Sequence, residues 1–352
     1  MGLFTTPSVL ILYKRFVLIF IKLTKIKTLT TSDLVKSHEF NYRKQFMKPN
    51  VIVICGPTAL GKTATAIELA EIFNGEIVGA DSMQIYRYMN IGTAKPSPQE
   101  LARVPHHLID IADPDQRFDA KQYSKTAHAK IMELVSRAIV PFVVGGTGLY
   151  IKALVHGLFM AESANDDIRT RLKEEAQSHG TDFLYERLRL CDPDAAARIK
   201  PHDSYRIVRA LEIYQLTGKT ISAYHHEHGF QDEPFRALKI GLNMDRELLY
   251  DRINQRVDAM IAAGLVDEVK ELLGKGYAPD LKAMRSIGYR HMVDFIKERL
   301  SWPEAVRTLK RDTRRYAKRQ LTWFKADSDI AWYTPRQLSD ISRAVKKFLH
   351  IP

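Results

Sequence analysis

Cysteine is nearly absent from this chain of 352 residues, which contains only Cys55 and Cys191. The two residues are far apart and neither belongs to a CxxC pattern, so the sequence excludes a disulfide framework and a cysteine-rich zinc site. Unpaired thiols are typical of a reducing compartment. We therefore expect a cytoplasmic protein.

Long apolar runs are also missing. The best candidate, VLILYKRFVLIFI at residues 9–21, is interrupted by Lys14 and Arg15, and each half is too short to span a bilayer. No membrane partner is therefore expected. Residues 1–47 form an N-terminal extension without a clear small-residue cleavage site. They are a disordered, targeting or membrane-surface segment, or they precede a true start at Met47.

The remaining composition is that of a globular protein with surplus positive charge. Apolar residues make up 45% and charged residues 27%, which is ordinary for a chain long enough for two domains. The net charge is +12, and thirteen Lys/Arg against four Asp/Glu lie between Lys282 and Lys325. In that region one face of a helical pattern carries four cations, Arg307, Arg311, Arg314 and Lys318. This face is either simply hydrated or contacts nucleic-acid phosphates.

The stretch VIVICGPTALGKT at residues 51–63 matches G-x-x-x-x-G-K-[ST] between a β-branched run and a helical pattern. In a P-loop of this kind, backbone N–H groups and a helix N-terminus face a phosphate group. The positive charge of Lys62 adds to them, and the Thr63 hydroxyl can reach a magnesium ion. We expect a diphosphate or triphosphate to bind the following residues: Gly56, Pro57, Thr58, Ala59, Leu60, Gly61, Lys62 and Thr63.

Further short apolar runs alternate with helical or loop sequence at residues 76–80, 107–110, 139–144 and 237–242. Alternation of this kind predicts a P-loop NTPase-like α/β fold, a doubly wound parallel sheet. Ligands of such sheets bind beyond the carboxyl ends of the strands. We therefore expect the P-loop, Asp81–Gln84 and Gly145–Gly148 to lie close together.

Helical sequence with apolar spacings of three and four interrupts this alternation from about Asp166. It predicts an inserted helical domain at residues 161–235 between two parts of the core, 48–160 and 236–352. After the insertion we expect a long helix that Asp245 caps, and a final helix from Pro303.

Eight motifs carry a specific resemblance to a known family. In order they are GPTALGKT (56–63), DSMQIY (81–86), MNIGTAKP (89–96), HHLIDI (106–111), VVGGTGLYIKAL (143–154), RALEIYQLTGKT (209–220), RSIGYR (285–290) and TRRYAKRQLTWF (313–324). Together they resemble the bacterial form of the tRNA dimethylallyltransferase family, from about Pro49 to the C-terminus. Leu60 replaces a more usual serine, residues 1–47 have no counterpart, and the zinc finger of eukaryotic relatives is missing.

The resemblance implies a reaction. A dimethylallyl group would move from dimethylallyl diphosphate to N6 of the adenosine 3′ of the anticodon in tRNA, releasing diphosphate. Lys62, the loop N–H groups and Mg²⁺ near Thr63 would stabilise the leaving group. Asp81 would act as the base and Thr147 would lie near the reacting centre.

The resemblance also implies contacts with the tRNA anticodon stem-loop, and it implies no stable protein partner. The implied contacts are Asp81, Ser82, Met83, Gln84, Thr147, Arg169, Tyr205, Arg206, Ile207, Val208, Arg209, Arg285, Ser286, Ile287, Gly288, Tyr289 and Arg290. Arginines beside aromatic residues suit unstacked loop nucleotides. Arg314, Lys318 and Arg319 either contact RNA phosphates or are plain surface charge.

Four other features have a structural and a functional interpretation. Asp110 either holds a loop by accepting backbone N–H bonds or lies near the metal. The adjacent pairs His106-His107 and His225-His226 lack the spacing of a helical zinc site. Trp302 and Trp323 are predicted to be packing residues.

Three rival functions fit a P-loop. An adenylate isopentenyltransferase would prenylate free AMP, ADP or ATP and would need neither the inserted helices nor the basic C-terminal region. A small-molecule kinase would turn over ATP. An RNA-binding P-loop protein would not catalyse at all.

Overall fold

The computed structural model describes residues 48–157, 165–228 and 233–351. The predicted N-terminal extension, residues 1–47, lies outside the described residues. Residues Pro49–Pro352 form one compact unit. The proposed division at residues 160/161 and 235/236 remains a prediction.

A parallel sheet forms the centre of the fold. Its strands are β1 (Asn50–Cys55), β2 (Gly75–Gly79), β3 (His106–His107), β4 (Val140–Val144), β5 (Arg236–Leu242) and β6 (Ala331–Tyr333). They lie in the order β3-β2-β4-β1-β5-β6. Apart from its first residue, β1 is fully buried. Its run of Val and Ile suits a strand covered on both faces.

The helices follow in chain order and several begin at clear caps. They are α1 (Lys62–Ile72), α2 (Pro98–Arg103), α3 (Ala120–Ser136), α4 (Gly148–His156), α5 (Asp166–His179), α6 (Thr181–Cys191), α7 (Pro193–Arg198), α8 (Ser204–Thr217), α9 (Ile221–His228), α10 (Arg246–Ala262), α11 (Leu265–Gly274), α12 (Tyr289–Ile296), α13 (Trp302–Lys325) and α14 (Leu338–Phe348). Asp245 caps α10 as predicted, because its side chain accepts the N–H groups of Glu247 and Leu248.

Apolar clusters lie on both faces of the sheet. Helices α3 and α4 cover one face, and helices α1, α10 and α14 cover the other. This arrangement confirms the doubly wound α/β fold. A separate cluster holds α5 to α8 together around Leu172, Leu184 and Leu211. The helices between β4 and β5 therefore have a small core of their own.

Two sequence expectations about the C-terminal region were wrong. The helix predicted from Pro303 begins one residue earlier as α13, and it is not the last, because β6 and α14 follow it.

Strand β3 covers only His106 and His107, since Leu108 and Asp110 adopt left-handed backbone angles that end the strand. Within the described ranges, no helix combines the length and apolar character that crossing a bilayer requires.

Candidate active site

The P-loop occupies the turn between β1 and α1. Gly56 has a φ of 131°, and a Cβ at this position would lie 2.5 Å from the carbonyl oxygen of Leu242. Gly61, with a φ of 79°, starts α1 without a side-chain cap. The first N–H groups of α1 are thus not used by a side chain at the N-cap, and they suit an anion. Leu60 is fully buried, so the leucine that replaces the more usual serine packs in the core.

Lys62 lies at the start of α1, where its Nζ donates to the Pro57 carbonyl at 2.8 Å. Burial, and after it the charge of Arg256, lowers the pKa of Lys62 to about 8, although Asp81 opposes the shift. Bringing a phosphate close would restore the charged form, because a negative group favours an ammonium.

The glycine-rich turn after β4 meets the loop after β2, as the sequence predicted. The N–H of Ala80 donates to Val144 at 2.7 Å, and the N–H of Thr147 donates to Ala80 at 3.1 Å. Thr147 is the N-cap residue of α4, but its side chain makes no cap. Its Oγ1 instead accepts the N–H of Ser82 at 2.9 Å.

Asp81 holds its own loop. Its Oδ1 accepts the N–H of Met83 at 2.9 Å and that of Gln84 at 3.4 Å. These bonds fix the carboxylate in one orientation. Gln84 donates from Nε2 to the carbonyls of Thr93 and Ala94 at 3.1 and 3.0 Å, so its amide positions the neighbouring loop.

A polar cavity of about 340 Å³ lies between these loops. The predicted residues Thr58, Gly61, Lys62, Thr63, Asp81 and Gln84 line it, together with Arg256, Tyr316 and Gln320. The P-loop and the proposed base therefore face the same space.

Sequence reasoning missed Gln320, which joins two of the loops from near the C-terminal end of α13. Its Oε1 accepts the N–H of Thr58 at 3.0 Å, and its Nε2 donates to the carbonyl of Gly146 at 2.9 Å. A Cβ on Gly146 would lie 2.2 Å from that nitrogen. Gln320 thus explains why glycine stands at position 146. Its burial could not be read from the sequence, because a single glutamine in a helical pattern is equally consistent with a hydrated face.

Arg256 on α10 and Tyr316 on α13 are two further residues that the sequence did not indicate. Burial lowers the pKa of Arg256, and Asp81 opposes this shift. Burial raises the pKa of Tyr316 well above its ordinary range, and Asp81 adds to the effect. The guanidinium gives the cavity a second cation beside Lys62, while the phenol stays a neutral donor.

The donors in this cavity fit a magnesium ion. The Thr63 hydroxyl and the Asp81 carboxylate both line it, and Mg²⁺ prefers oxygen ligands, often one or two carboxylates with phosphate oxygens and water. No group of three or more His, Cys, Asp or Glu within the described ranges is placed to hold a metal. A magnesium ion here would therefore depend on ligands from a bound diphosphate.

The predicted RNA contacts on the inserted helices differ in accessibility. Tyr205 is 82% exposed, and Arg206 lies beside it with an ion pair to Asp203 at 3.1 Å. Ile207 and Val208 are buried, so as side-chain contacts with RNA they are corrected to core residues. Positions two apart in an α-helix lie on nearly opposite sides, which separates these two pairs.

Arg169 and Arg209 share a buried partner. The carboxylate of Glu212 is fully buried and lies 3.0 Å from Arg169 and 3.1 Å from Arg209. Both arginine side chains remain about 30% exposed, at 29% and 31%. Glu212 fixes both guanidinium groups in place, which leaves their outer edges for a ligand.

The residues of the segment 285–290 also differ in their exposure to solvent. Arg285 is exposed, and Arg290 is exposed but pairs with Asp312 at 2.6 Å. Tyr289 is fully buried and cannot stack on a base, which corrects that prediction. Ser286 donates to a carbonyl of its own turn, Ile287 is partly buried, and Gly288 has a φ of 97° that favours glycine.

A second cavity of about 880 Å³ lies beside the C-terminal part of α13, and Gly148 belongs to its lining. Lys318, Arg319 and Arg206 line this cavity, whereas Arg314 donates to Asn254 at 2.6 Å. Part of the basic surplus therefore faces a cleft next to Thr147, and part is used in contacts within the protein.

The remaining sequence candidates have structural roles. Asp110 pairs with Lys95 at 2.5 Å and not with backbone N–H groups. His107 contacts Glu76 at 2.6 Å.

Trp302 packs on Phe295 with ring centroids 5.0 Å apart, and a Cβ on Gly148 would lie 2.2 Å from Trp323. Both tryptophans make packing contacts, but Trp302 is 37% exposed and Trp323 is 43% exposed, so the predicted packing role holds for only part of each side chain.

Comparisons with known proteins show which family this chain is similar to. The IPP transferase family model matches residues 84–327. A tRNA dimethylallyltransferase of Desulfosudis oleivorans is 55% identical over 303 residues, which cover 86% of this chain and 96% of that protein. One of Geobacter sulfurreducens is 51% identical over 302 residues, which cover 86% and 97%.

Solved structures show the same likeness. The full-length tRNA isopentenylpyrophosphate transferase of Bacillus halodurans is 41% identical with a TM-score of 0.65, covering 86% of this chain and 97% of that one. A eukaryotic dimethylallyltransferase acting on tRNA is 29% identical with a TM-score of 0.71, covering 85% and 77%. On the family match and the relatives together, this chain belongs to the IPP transferase family, whose curated members are named tRNA dimethylallyltransferases.

Proposed function

We propose that this protein transfers the dimethylallyl group of dimethylallyl diphosphate to N6 of the adenosine 3′ of the anticodon in tRNA, with release of diphosphate. Beyond family membership, one observation supports this most directly. The P-loop and a fixed carboxylate, Asp81, line one cavity. A carboxylate beside a phosphate cradle suits the removal of a proton from an attacking amine.

The cradle binds the diphosphate. The Lys62 ammonium, the N–H groups at the start of α1 and the Arg256 guanidinium all carry positive charge towards the cavity. These groups stabilise negative charge that grows on diphosphate as its bond to carbon breaks, which lowers the barrier. When bound near Thr63, Mg²⁺ would add further neutralisation of this charge.

Asp81 acts on the nucleophile. The bond between C1 of the prenyl group and the diphosphate oxygen breaks, a bond between C1 and N6 forms, and one N6 proton passes to the Asp81 carboxylate. The N6 lone pair is delocalised into the adenine ring, so loss of this proton assists the attack. The turn bonds of Asp81 keep its carboxylate from rotating away.

Thr147 and the cleft beside it receive the RNA. The Thr147 hydroxyl accepts the N–H of Ser82 in the Asp81 loop, and the next residue, Gly148, lines the larger cavity. The cations Arg206, Lys318 and Arg319 line the larger cavity and suit phosphates of a single-stranded loop. An adenosine in the anticodon loop is easier to extrude than one in a duplex.

Labelled dimethylallyl diphosphate tests the proposal. The purified protein is incubated with it and, separately, with unmodified tRNA, AMP and ATP. Label in tRNA alone is the expected result. Label only in the nucleotides would instead identify an adenylate isopentenyltransferase. ATP turnover without prenyl transfer would identify a kinase, and tRNA binding without either reaction would identify a non-catalytic RNA-binding protein.

A further inference from the structure

One carboxylate outside the diphosphate cavity receives four hydrogen bonds. Glu268 on α11 accepts the backbone N–H groups of Asn90 and Ile91 on Oε2 at 2.8 and 2.7 Å. Its Oε1 accepts the N–H of Gly92 at 3.1 Å and the hydroxyl of Tyr289 at 2.6 Å. Four donors use essentially all the lone-pair directions of a carboxylate, so its orientation is fixed.

The three amides belong to the loop 90–96, whose second half is a wall of the cavity. Thr93, Ala94, Lys95 and Pro96 all line the space that the P-loop faces. The amide of Gln84 holds the carbonyls of this second half. Glu268 therefore holds one end of the wall, and a residue of the cavity itself holds the other.

Tyr289 keeps Glu268 in place. The tyrosine is fully buried, and its ring lies so close to Gly92 that a Cβ there would be 2.5 Å from Cε2. Burial, followed by the charge of Glu268, raises the pKa of Tyr289 well above its ordinary range. The hydroxyl therefore stays protonated and donates to the carboxylate.

We propose that Glu268, oriented by Tyr289, is a positioning residue for prenyl transfer that holds the loop 90–96 against the bound diphosphate. The inference rests on the proposed function, which supplies that diphosphate. Glu268 touches no reacting atom and acts through the loop backbone. Because Tyr289 lies between Arg285 and Arg290, the same contact joins the cavity wall to the segment 285–290, for which RNA contacts are predicted.

The substitution Glu268→Gln tests this role. Glutamine has a similar shape, but its NH₂ group faces backbone donors and its neutral oxygen is a weaker acceptor. We expect the KM for dimethylallyl diphosphate and the calorimetric Kd of inorganic pyrophosphate to rise about tenfold, the equivalent of one charge-assisted hydrogen bond. We expect kcat to change by less than about threefold.

Two further variants complete the test. Tyr289→Phe removes one hydroxyl and is expected to raise both constants less, in the same direction. Glu271→Gln alters an exposed carboxylate one turn along α11 and is expected to behave as the unmodified protein. Should Glu268→Gln fail to fold, as judged by circular dichroism, Tyr289→Phe decides the outcome.

Two results would overturn the proposal. One is an unchanged pyrophosphate Kd in both Glu268→Gln and Tyr289→Phe. The other is a fall in kcat with unchanged KM, which a loss of folded protein would produce. Failure of the unmodified protein to prenylate any acceptor would reject the proposed function instead, and the pyrophosphate Kd would still decide the role of Glu268.

Discussion

The ionisation of Lys62 makes diphosphate binding sensitive to pH near 8. Burial, assisted by Arg256, lowers the pKa of this ammonium to about 8. Diphosphate binding needs the charged form of Lys62, so the affinity is highest well below pH 8 and falls as the pH rises through that value. Only about a tenth of Lys62 is charged at pH 9, and apparent Kd varies inversely with the competent fraction. The Kd of inorganic pyrophosphate should therefore rise about tenfold between pH 7 and pH 9.

Calorimetry at fixed Mg²⁺ concentration, with Lys62→Arg as the reference, measures this change. The guanidinium stays charged over the whole range, and titration of pyrophosphate itself affects both proteins equally. The ratio of the Kd of the unmodified protein to that of Lys62→Arg should rise with pH. A ratio that is constant from about pH 7 to about pH 9 would refute the reasoning, because Lys62 would then keep an ordinary pKa.

Three other substitutions probe the site. Asp81→Asn keeps an oxygen that can accept the turn N–H groups but removes the base, so the rate of prenyl transfer should fall by a factor of about 10² to 10⁴. The affinity for tRNA, measured by filter binding, should be retained. Undiminished turnover would exclude Asp81 as the base. Gly146→Ala puts a Cβ 2.2 Å from the Gln320 amide and should weaken pyrophosphate binding in calorimetry; normal binding would mean that Gln320 yields. Arg285→Ala should weaken tRNA binding and reduce its salt slope by about 1. An unaltered slope would place the RNA contact elsewhere.

The central strands were predictable because of where they lie. β1, β2, β4 and β5 are buried on both faces, and burial of that kind selects continuous apolar runs that stand out between loops. β6 is only three residues long, AWY, and all three are partly exposed. An edge strand so short carries no pattern that differs from a loop.

The P-loop was predictable from sequence because its residues are consecutive. Gln320 and Arg256 were not, since each reaches the cavity from a helix more than 190 positions later in the chain. On such helices a single polar residue looks like part of a hydrated face. Only the packing of α10 and α13 across the carboxyl edge of the sheet brings these side chains to the P-loop.

The same limit explains the errors about RNA contacts. Tyr289, Ile207 and Val208 lie in segments where exposed and buried positions alternate within one turn, and a motif does not separate them. Glu212 could not be matched to Arg169 from sequence, because they belong to different helices. A count of charges includes both Arg169 and Arg209, but it does not show that both form ion pairs with the same buried carboxylate, Glu212.

The bond between Thr58 and Gln320 spans 262 positions of the chain, which has a consequence for biosynthesis. At a ribosomal rate of roughly 5 to 20 residues per second, the glutamine is made about 15 to 50 seconds after the loop that it secures. During that interval the nascent polypeptide contains the phosphate-binding turn but lacks Gln320, which joins this turn to the glycine turn after β4. Catalytic competence should thus arise only after Gln320 has been synthesised and α13 has packed on the P-loop.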